Sequence, residues 1–377
     1  MFSAFYSRLF WTDHVDWTMT GDLIAKLKPT ALGNAAKTFL ESDFFDNHIV
    51  GPAGGAGPLN GTAQNDLIEV LGNQSTVRDG AGSDLIVKHG DYVTIIADTT
   101  DSISLDIFVN TPGSQYGLYV DYSNDSAGIT LDFLRGRATG SAISYDRILG
   151  GYAGIGGAGN DIFIGSDMPE EGFTGGDGND RMFGYGGFDS LTGGNGDDRL
   201  NGGDGDDWLD GQAGRDVIYG GGGNDSINVY LLPDFTSGPG DWIDGGEGND
   251  SIRGNQGNDR IHGGTGDDAI STYFNYGTDN GGRDILSGGE GADAFLVLDG
   301  RLNYQGSVVI LDFENGIDKL VSGKITSGGI TTTIIGYDEF LADARDTAAG
   351  LVYNNGDGLY VRLQGFTLAM LDPTDFI

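Results

Sequence analysis

An aspartate recurs at the sixth position of a nine-residue unit, twelve times, between Gly175 and Leu296. The first six units are contiguous: GGDGNDRMF, GYGGFDSLT, GGNGDDRLN, GGDGDDWLD, GQAGRDVIY and GGGGNDSIN. They place Asp180, Asp189, Asp198, Asp207, Asp216 and Asp225. Six more units, interrupted once, place Asp241, Asp250, Asp259, Asp268, Asp284 and Asp293. Glycines permit the φ > 0 conformations of a tight turn and can aim carbonyls inward. The aspartate adds a carboxylate to those carbonyls. Calcium takes six to eight oxygens at roughly 2.3–2.6 Å, and this mixture supplies them.

The eighth position sets the elements that must carry these turns. It is always large and apolar: Met182, Leu191, Leu200, Leu209, Ile218, Ile227, Ile243, Ile252, Ile261, Ile270, Leu286 and Phe295. Residues seven to nine of each unit read as a short strand whose middle side chain points inward. A flexible Gly/Asp linker has no use for an apolar residue every nine.

The unit GGxGxDxUx, with U large and apolar, resembles the RTX calcium-binding repeat. The resemblance implies an all-β fold, a right-handed parallel β-roll with calcium in its turns. One coil takes two nonads, so turns alternate sides and each ion sits between turns n and n+2. Asp180, Asp198 and Asp216 then line one side, and Asp189, Asp207 and Asp225 the other. Twelve turns give at most ten such Ca2+ sites.

Composition agrees. The chain has 377 residues with 69 Gly, no Cys and a formal net charge of −36. Of the acids, 48 are Asp and only eight are Glu. Glu favours helices, whereas Asp favours turns and hard-metal sites, so a helical bundle is excluded. The charge sign excludes sequence-wide nucleic-acid binding. Without Cys there are no disulfides and no thiolate sites. Hydrophobic residues at 38 % and aromatics at 10 %, regularly placed, argue against plain disorder. No apolar run reaches membrane-spanning length. Met1 to Trp11 lacks a sustained apolar stretch and a small-residue cleavage site, so a cleavable leader is not expected there.

The flanks divide the chain into four expected regions. Residues 1–58 form an N-terminal cap or interaction arm, with an aromatic cluster and a GPAGGAGP hinge. Residues 59–155 hold looser repeats, with Asp66 and Asp84 as weaker ligands, and then short alternating strands. Those strands read as a calcium-poor continuation of the solenoid or as a separate small β domain. Residues 156–296 are the calcium-binding roll, opened by GGAGNDIFI with Asp161. The next nonad, SDMPEEGFT, keeps only the apolar Phe173. Residues 297–377 lose the repeat and are similar to the C-terminal cap of RTX proteins, which carries an uncleaved type I secretion signal. A solenoid needs such a cap on its last open coil.

Two seven-residue insertions, VYLLPDF and TYFNYGT, each follow an even-numbered nonad and so should leave the same edge, about 10 Å apart. Their Tyr230, Leu232, Phe235, Tyr273, Phe274 and Tyr276 form a candidate aromatic patch for a glycan or protein partner. The alternative is that they pack on each other or on a flanking region. The four histidines, His14, His48, His89 and His262, form no HExxH, and no GxSxG occurs. No catalytic residue is assigned. The expected function is a secreted, calcium-dependent structural or adhesive surface protein of a Gram-negative bacterium. Its partners would be calcium, the type I secretion apparatus, and itself or cell-surface glycans. The alternatives are a polysaccharide-acting enzyme with its site in residues 1–155, or a calcium-dependent lectin.

Overall fold

The computed structural model describes residues 46–376, apart from 52–57, 72–74, 90–92, 98–105, 111–116, 141–142, 144–145, 229–238, 255–256, 274–281, 300–305, 327–330, 336 and 355–358. It divides into two compact units, Met1–Val120 with Ile143–Gly151, and Asp121–Ala142 with Tyr152–Ile377.

The larger unit is a parallel β-roll of two facing stacks of strands. In the first stack, Ile129–Asp132, Ile162–Ile164, Arg181–Gly186, Arg199–Asp204, Val217–Gly222, Trp242–Glu247, Arg260–Thr265 and Arg283–Glu290 pair in parallel, each with the next. In the second, Gly151–Ile155, Glu170–Asp177, Phe188–Asn195, Trp208–Ala213, Ser226–Asn228, Ser251–Gly254, Ala269–Tyr273 and Ala294–Asp299 do the same. One coil therefore spends two nonads, and Leu191 faces Leu209 eighteen residues on. The insertions lengthen two coils without shifting the register, since Ile218 pairs with Ile243 and Ile261 with Leu286.

Most strands of the roll are longer than three residues, although Ile162–Ile164 and Ser226–Asn228 are not. Most run from position seven through the glycines of the next unit, as in Arg199–Asp204. Gly203 still pairs with Tyr185 and Gly221 while holding φ 118, so the bend and the ladder coexist there. All twelve eighth-position side chains are at most 1 % exposed. They form one continuous core, each contributing roughly 1.5–3 kcal/mol relative to exposure.

The far end is closed by antiparallel pairing. Leu359–Leu363 adds in parallel to Gly306–Ile310, and Gly350–Asn354 and Ala344–Thr347 follow antiparallel. In the other stack Thr331–Ile335 folds back on Lys319–Thr326. The helix Tyr337–Asp343 buries Phe340, stacked on Tyr353 at 4.4 Å. The chain end docks here too, since Phe376 lies 5.1 Å from Phe340 and Asp375 accepts from the Gly316 N–H at 2.8 Å. Among the described residues, the reversed strands and the helix cover the parallel edge that the last repeat coil would otherwise expose.

The smaller unit also stacks parallel strands. Asn47–Val50, Asp66–Val70, Leu85–Lys88, Ile107–Asn110 and Asp146–Leu149 pair in sequence. Leu59–Asn60, Ser75–Arg78 and Val93–Ile96 form a second stack. Among the described residues no helix is long and apolar enough to cross a membrane.

Candidate metal centre

Each sixth-position aspartate immediately precedes its strand or is its second residue, at the corner where the chain turns between stacks. All twelve are at most 2 % exposed. In eleven of them, all but Asp189, Oδ1 accepts the backbone N–H of the aspartate one coil earlier, and these bonds form two ladders. On one corner the Asp161 N–H donates to Asp180 at 2.7 Å, Asp180 to Asp198 at 2.8 Å, and Asp198 to Asp216 at 2.9 Å. The ladder continues through Asp241, Asp259 and Asp284. On the other corner it runs Asp189, Asp207, Asp225, Asp250, Asp268 and Asp293. The two sides are those that alternation of nonads requires.

The second carboxylate oxygen is what suits a metal. Oδ2 of Asp180, Asp189, Asp198, Asp207, Asp216, Asp225, Asp250 and Asp268 is buried and accepts no hydrogen bond. Each lies over the first glycine of its own nonad. A Cβ on Gly175 would sit 2.0 Å from Asp180 Oδ2 and 2.4 Å from the Gly193 carbonyl oxygen. At Gly202 the corresponding distances are 2.2 Å to Asp207 Oδ2 and 2.7 Å to the Gly220 carbonyl. A carboxylate of turn n and a carbonyl of turn n+2 thus converge where glycine leaves room. Among the described residues no three carboxylate or imidazole side chains cluster. The donor set is one carboxylate per turn with backbone carbonyls, which is calcium chemistry rather than that of zinc.

An unneutralised carboxylate is costly in this setting. Burial pushes Asp198 up to about 8, with the neighbouring Asp216, Asp180 and Asp197 charges adding and the backbone hydrogen bond opposing. Burial likewise raises Asp180, Asp207 and Asp250 to about 7. Calcium held by these carboxylates would displace those protons, and its apparent affinity should then weaken as pH falls from about 8 to about 6. Calcium titrations at the two pH values, with proton release followed in weak buffer, check this.

Two of the weaker copies differ in one respect. Asp161 Oδ2 accepts from the Gly157 N–H at 2.9 Å, and Asp66 Oδ2 from the Thr62 N–H at 2.5 Å. In these two turns the backbone already satisfies the oxygen that the main block leaves open. Asp84 is 1 % exposed and accepts from the Asp66 N–H.

Four buried acids escaped the repeat pattern. Glu171 occupies the sixth position of SDMPEEGFT, which therefore keeps more than Phe173. Its Oε2 lies 2.5 Å, and the Gly184 carbonyl 2.4 Å, from a Cβ built on Gly165. The longer side chain reaches the place of the aspartate carboxylate. Asp318 continues a ladder past residue 296 by accepting from the Asp293 N–H at 3.0 Å. Its signal was present: FENGIDKLV keeps Gly316, Asp318 and Leu320 at positions four, six and eight. Asp106 and Asp146 extend the Asp66–Asp84 series at irregular spacings of 22 and 40 residues, which no nonad search finds. Position five carries a further ladder: Asn179 donates its N–H to the Asn160 side chain, and Asp197 to that of Asn179, at 2.8 Å each.

Of the candidate aromatic patch, only the backbone of Tyr273 falls within the described residues, at the end of Ala269–Tyr273. Tyr230, Leu232, Phe235, Phe274 and Tyr276 lie outside them, as do residues 1–45 and most of the hinge. Both insertions join a second-stack strand to a first-stack one. His262 is exposed.

Residues 174–209, 201–229, 240–270 and 274–300 match the family model of the RTX calcium-binding nonapeptide repeat. No curated protein matches the chain. Among solved structures it is similar to the extracellular lipase LipA from Serratia marcescens, at 16 % identity and a TM-score of 0.21. That alignment covers 73 % of this chain and 45 % of the lipase, so the chain spans less than half of that protein's length. A likeness this slight carries no activity across. The repeat block of this chain is an array of RTX calcium-binding nonapeptides, and what it binds is Ca2+.

Proposed function

We propose that the protein is a secreted surface protein, of surface-layer, biofilm-matrix or adhesin type, whose roll folds on extracellular calcium. The sixth-position aspartates are its ligands. The observation that carries the reading is the pair of ladders with eight buried, unbonded Oδ2 atoms, because such a fold is completed by cations. In a calcium-poor cytosol the acidic turns repel, which suits export of an unfolded chain by a type I apparatus. Outside, calcium in the 10⁻⁴–10⁻³ M range fills weak extracellular sites. Negative-stain microscopy with and without calcium tests the structural role: ordered sheets or filaments that EDTA disperses support it. A protein that stays monomeric at millimolar calcium contradicts it.

Ligation should follow the Oδ2 environment. Asp198→Asn should remove one bound ion and raise the calcium midpoint of folding several-fold. Asp161→Asn should leave the ion count unchanged, since the Gly157 N–H already holds that oxygen. Ion counting by equilibrium dialysis distinguishes the two.

A further inference from the structure

The outer faces of the two stacks differ in chemistry. On the second stack, Ser190, Trp208, Ser226, Ser251 and Ala269 occupy successive rungs, mostly small or hydroxylic. On the first stack the same column reads Arg181, Arg199, Val217, Trp242, Arg260, in unbroken register. The neighbouring outward column adds Phe183 and Tyr219, which are 40 % and 42 % exposed. Tyr219 and Trp242 meet at 4.8 Å between ring centroids.

Arg181, Arg199 and Arg260 are exposed, and none makes an ion pair with a described carboxylate. That is unusual in a chain with 56 acids and 20 bases. Arg181 and Arg199 are also direct cross-strand neighbours, an arrangement that costs stability unless an anion bridges them. Its five rungs are separated by four spacings of about 4.8 Å, so the column is about 19 Å long.

We infer that this face binds an acidic polysaccharide along the roll axis, with carboxylates on the arginines and sugar rings on Tyr219 and Trp242. Guanidinium groups pair bidentately with carboxylates. Aromatic rings offer apolar faces to the C–H faces of sugars. The rung spacing is close to the length of one sugar unit, so successive uronates can meet successive rungs. A nucleic-acid duplex carries a charge every ~1.7 Å and would be repelled more strongly by the acidic turns. Calcium makes the face available, because loaded turns no longer set a negative field around it. The inference rests on the calcium-folding reading only for presentation of the face, and folding is scored separately.

The test is calorimetric titration of the full chain with short oligouronates, too short to gel, at millimolar calcium. The probes are hexa-uronates and neutral hexasaccharides, and folding is monitored by circular dichroism. Binding of the uronate but not the neutral sugar is expected. Arg181→Glu with Arg199→Glu should weaken it at least about tenfold, with the calcium-induced dichroism unchanged, and Trp242→Ala should weaken it less. A folded wild type that ignores the oligouronate overturns the inference. So does equal binding of both sugars, or binding untouched by the arginine reversals. Sedimentation of the same samples identifies the rival occupant: self-association abolished by the reversals, without sugar binding, would assign the face to a second copy.

Discussion

EDTA should unfold the repeat block outright, with loss of strand dichroism and of amide protection across residues 156–296, and calcium should restore both. The size of the effect follows from the number of sites. One ion at tenfold excess over its dissociation constant contributes about 1.4 kcal/mol of folding free energy. At least eight turns leave a buried Oδ2 without a hydrogen bond. Eight such sites give about 11 kcal/mol, comparable with the whole stability of an ordinary domain, roughly 5–15 kcal/mol. The metal-free state is penalised further by its carboxyls. Asp198 is held at about 8 and Asp180 at about 7 by burial in the fold, against an ordinary aspartate value near 4. A carboxyl with a raised folded pKa binds its proton more tightly folded than unfolded. Its penalty on the metal-free fold is therefore absent below about pH 4, and grows as pH rises towards about 8. The EDTA-treated protein should regain structure on acidification, whereas the calcium-loaded protein should lose affinity over the same range. An EDTA-treated chain that stays fully folded at pH 8 would sink the coupling.

Much of this is legible in the sequence. A strict period of nine with an apolar eighth residue can be satisfied only by stacking, because one short strand cannot bury its face alone. The core from Met182 to Phe295 and the two-sided alternation of aspartates follow from that period. Three things were hidden for physical reasons. Glu171 broke the letter of the motif while keeping its geometry, because one extra methylene still reaches the cradle over Gly165. Asp106 and Asp146 sit at the same kind of corner as Asp84, but across irregular loops that erase the period. The difference between Asp161 and Asp198 lies in whether a backbone N–H reaches Oδ2, which is set by the local course of the turn and which residue identity does not encode. The outward arginine column is not legible in the sequence because positions seven and nine carry no repeat constraint. Only the pairing of strands shows that Arg181 and Arg199 stand side by side.

The first glycine of a nonad should be intolerant of even a methyl group, and a glycine two residues later in another nonad should not. Gly202→Ala places a Cβ 2.2 Å from Asp207 Oδ2 and 2.7 Å from the Gly220 carbonyl oxygen. Neither oxygen can retreat freely. The carboxylate is tied through Oδ1 to the Asp189 N–H, and the carbonyl belongs to a strand paired on both sides. The methyl would crowd and separate the carboxylate and carbonyl oxygens that would hold the ion. We expect loss of one ion, a calcium midpoint raised several-fold and a destabilisation of about 2–3 kcal/mol, the upper part of the range for overpacking. Gly186→Ala is the control. Its nearest neighbour, the Asp204 carbonyl oxygen, is 3.6 Å from the built Cβ, and its φ is not in the left-handed region. That substitution should be neutral or slightly stabilising, since alanine narrows the unfolded ensemble. Generic loss of glycine flexibility predicts that the two variants behave alike. Metal ligation over the first glycine predicts that only Gly202→Ala loses an ion, and ion counting alongside calcium-titrated dichroism separates the two.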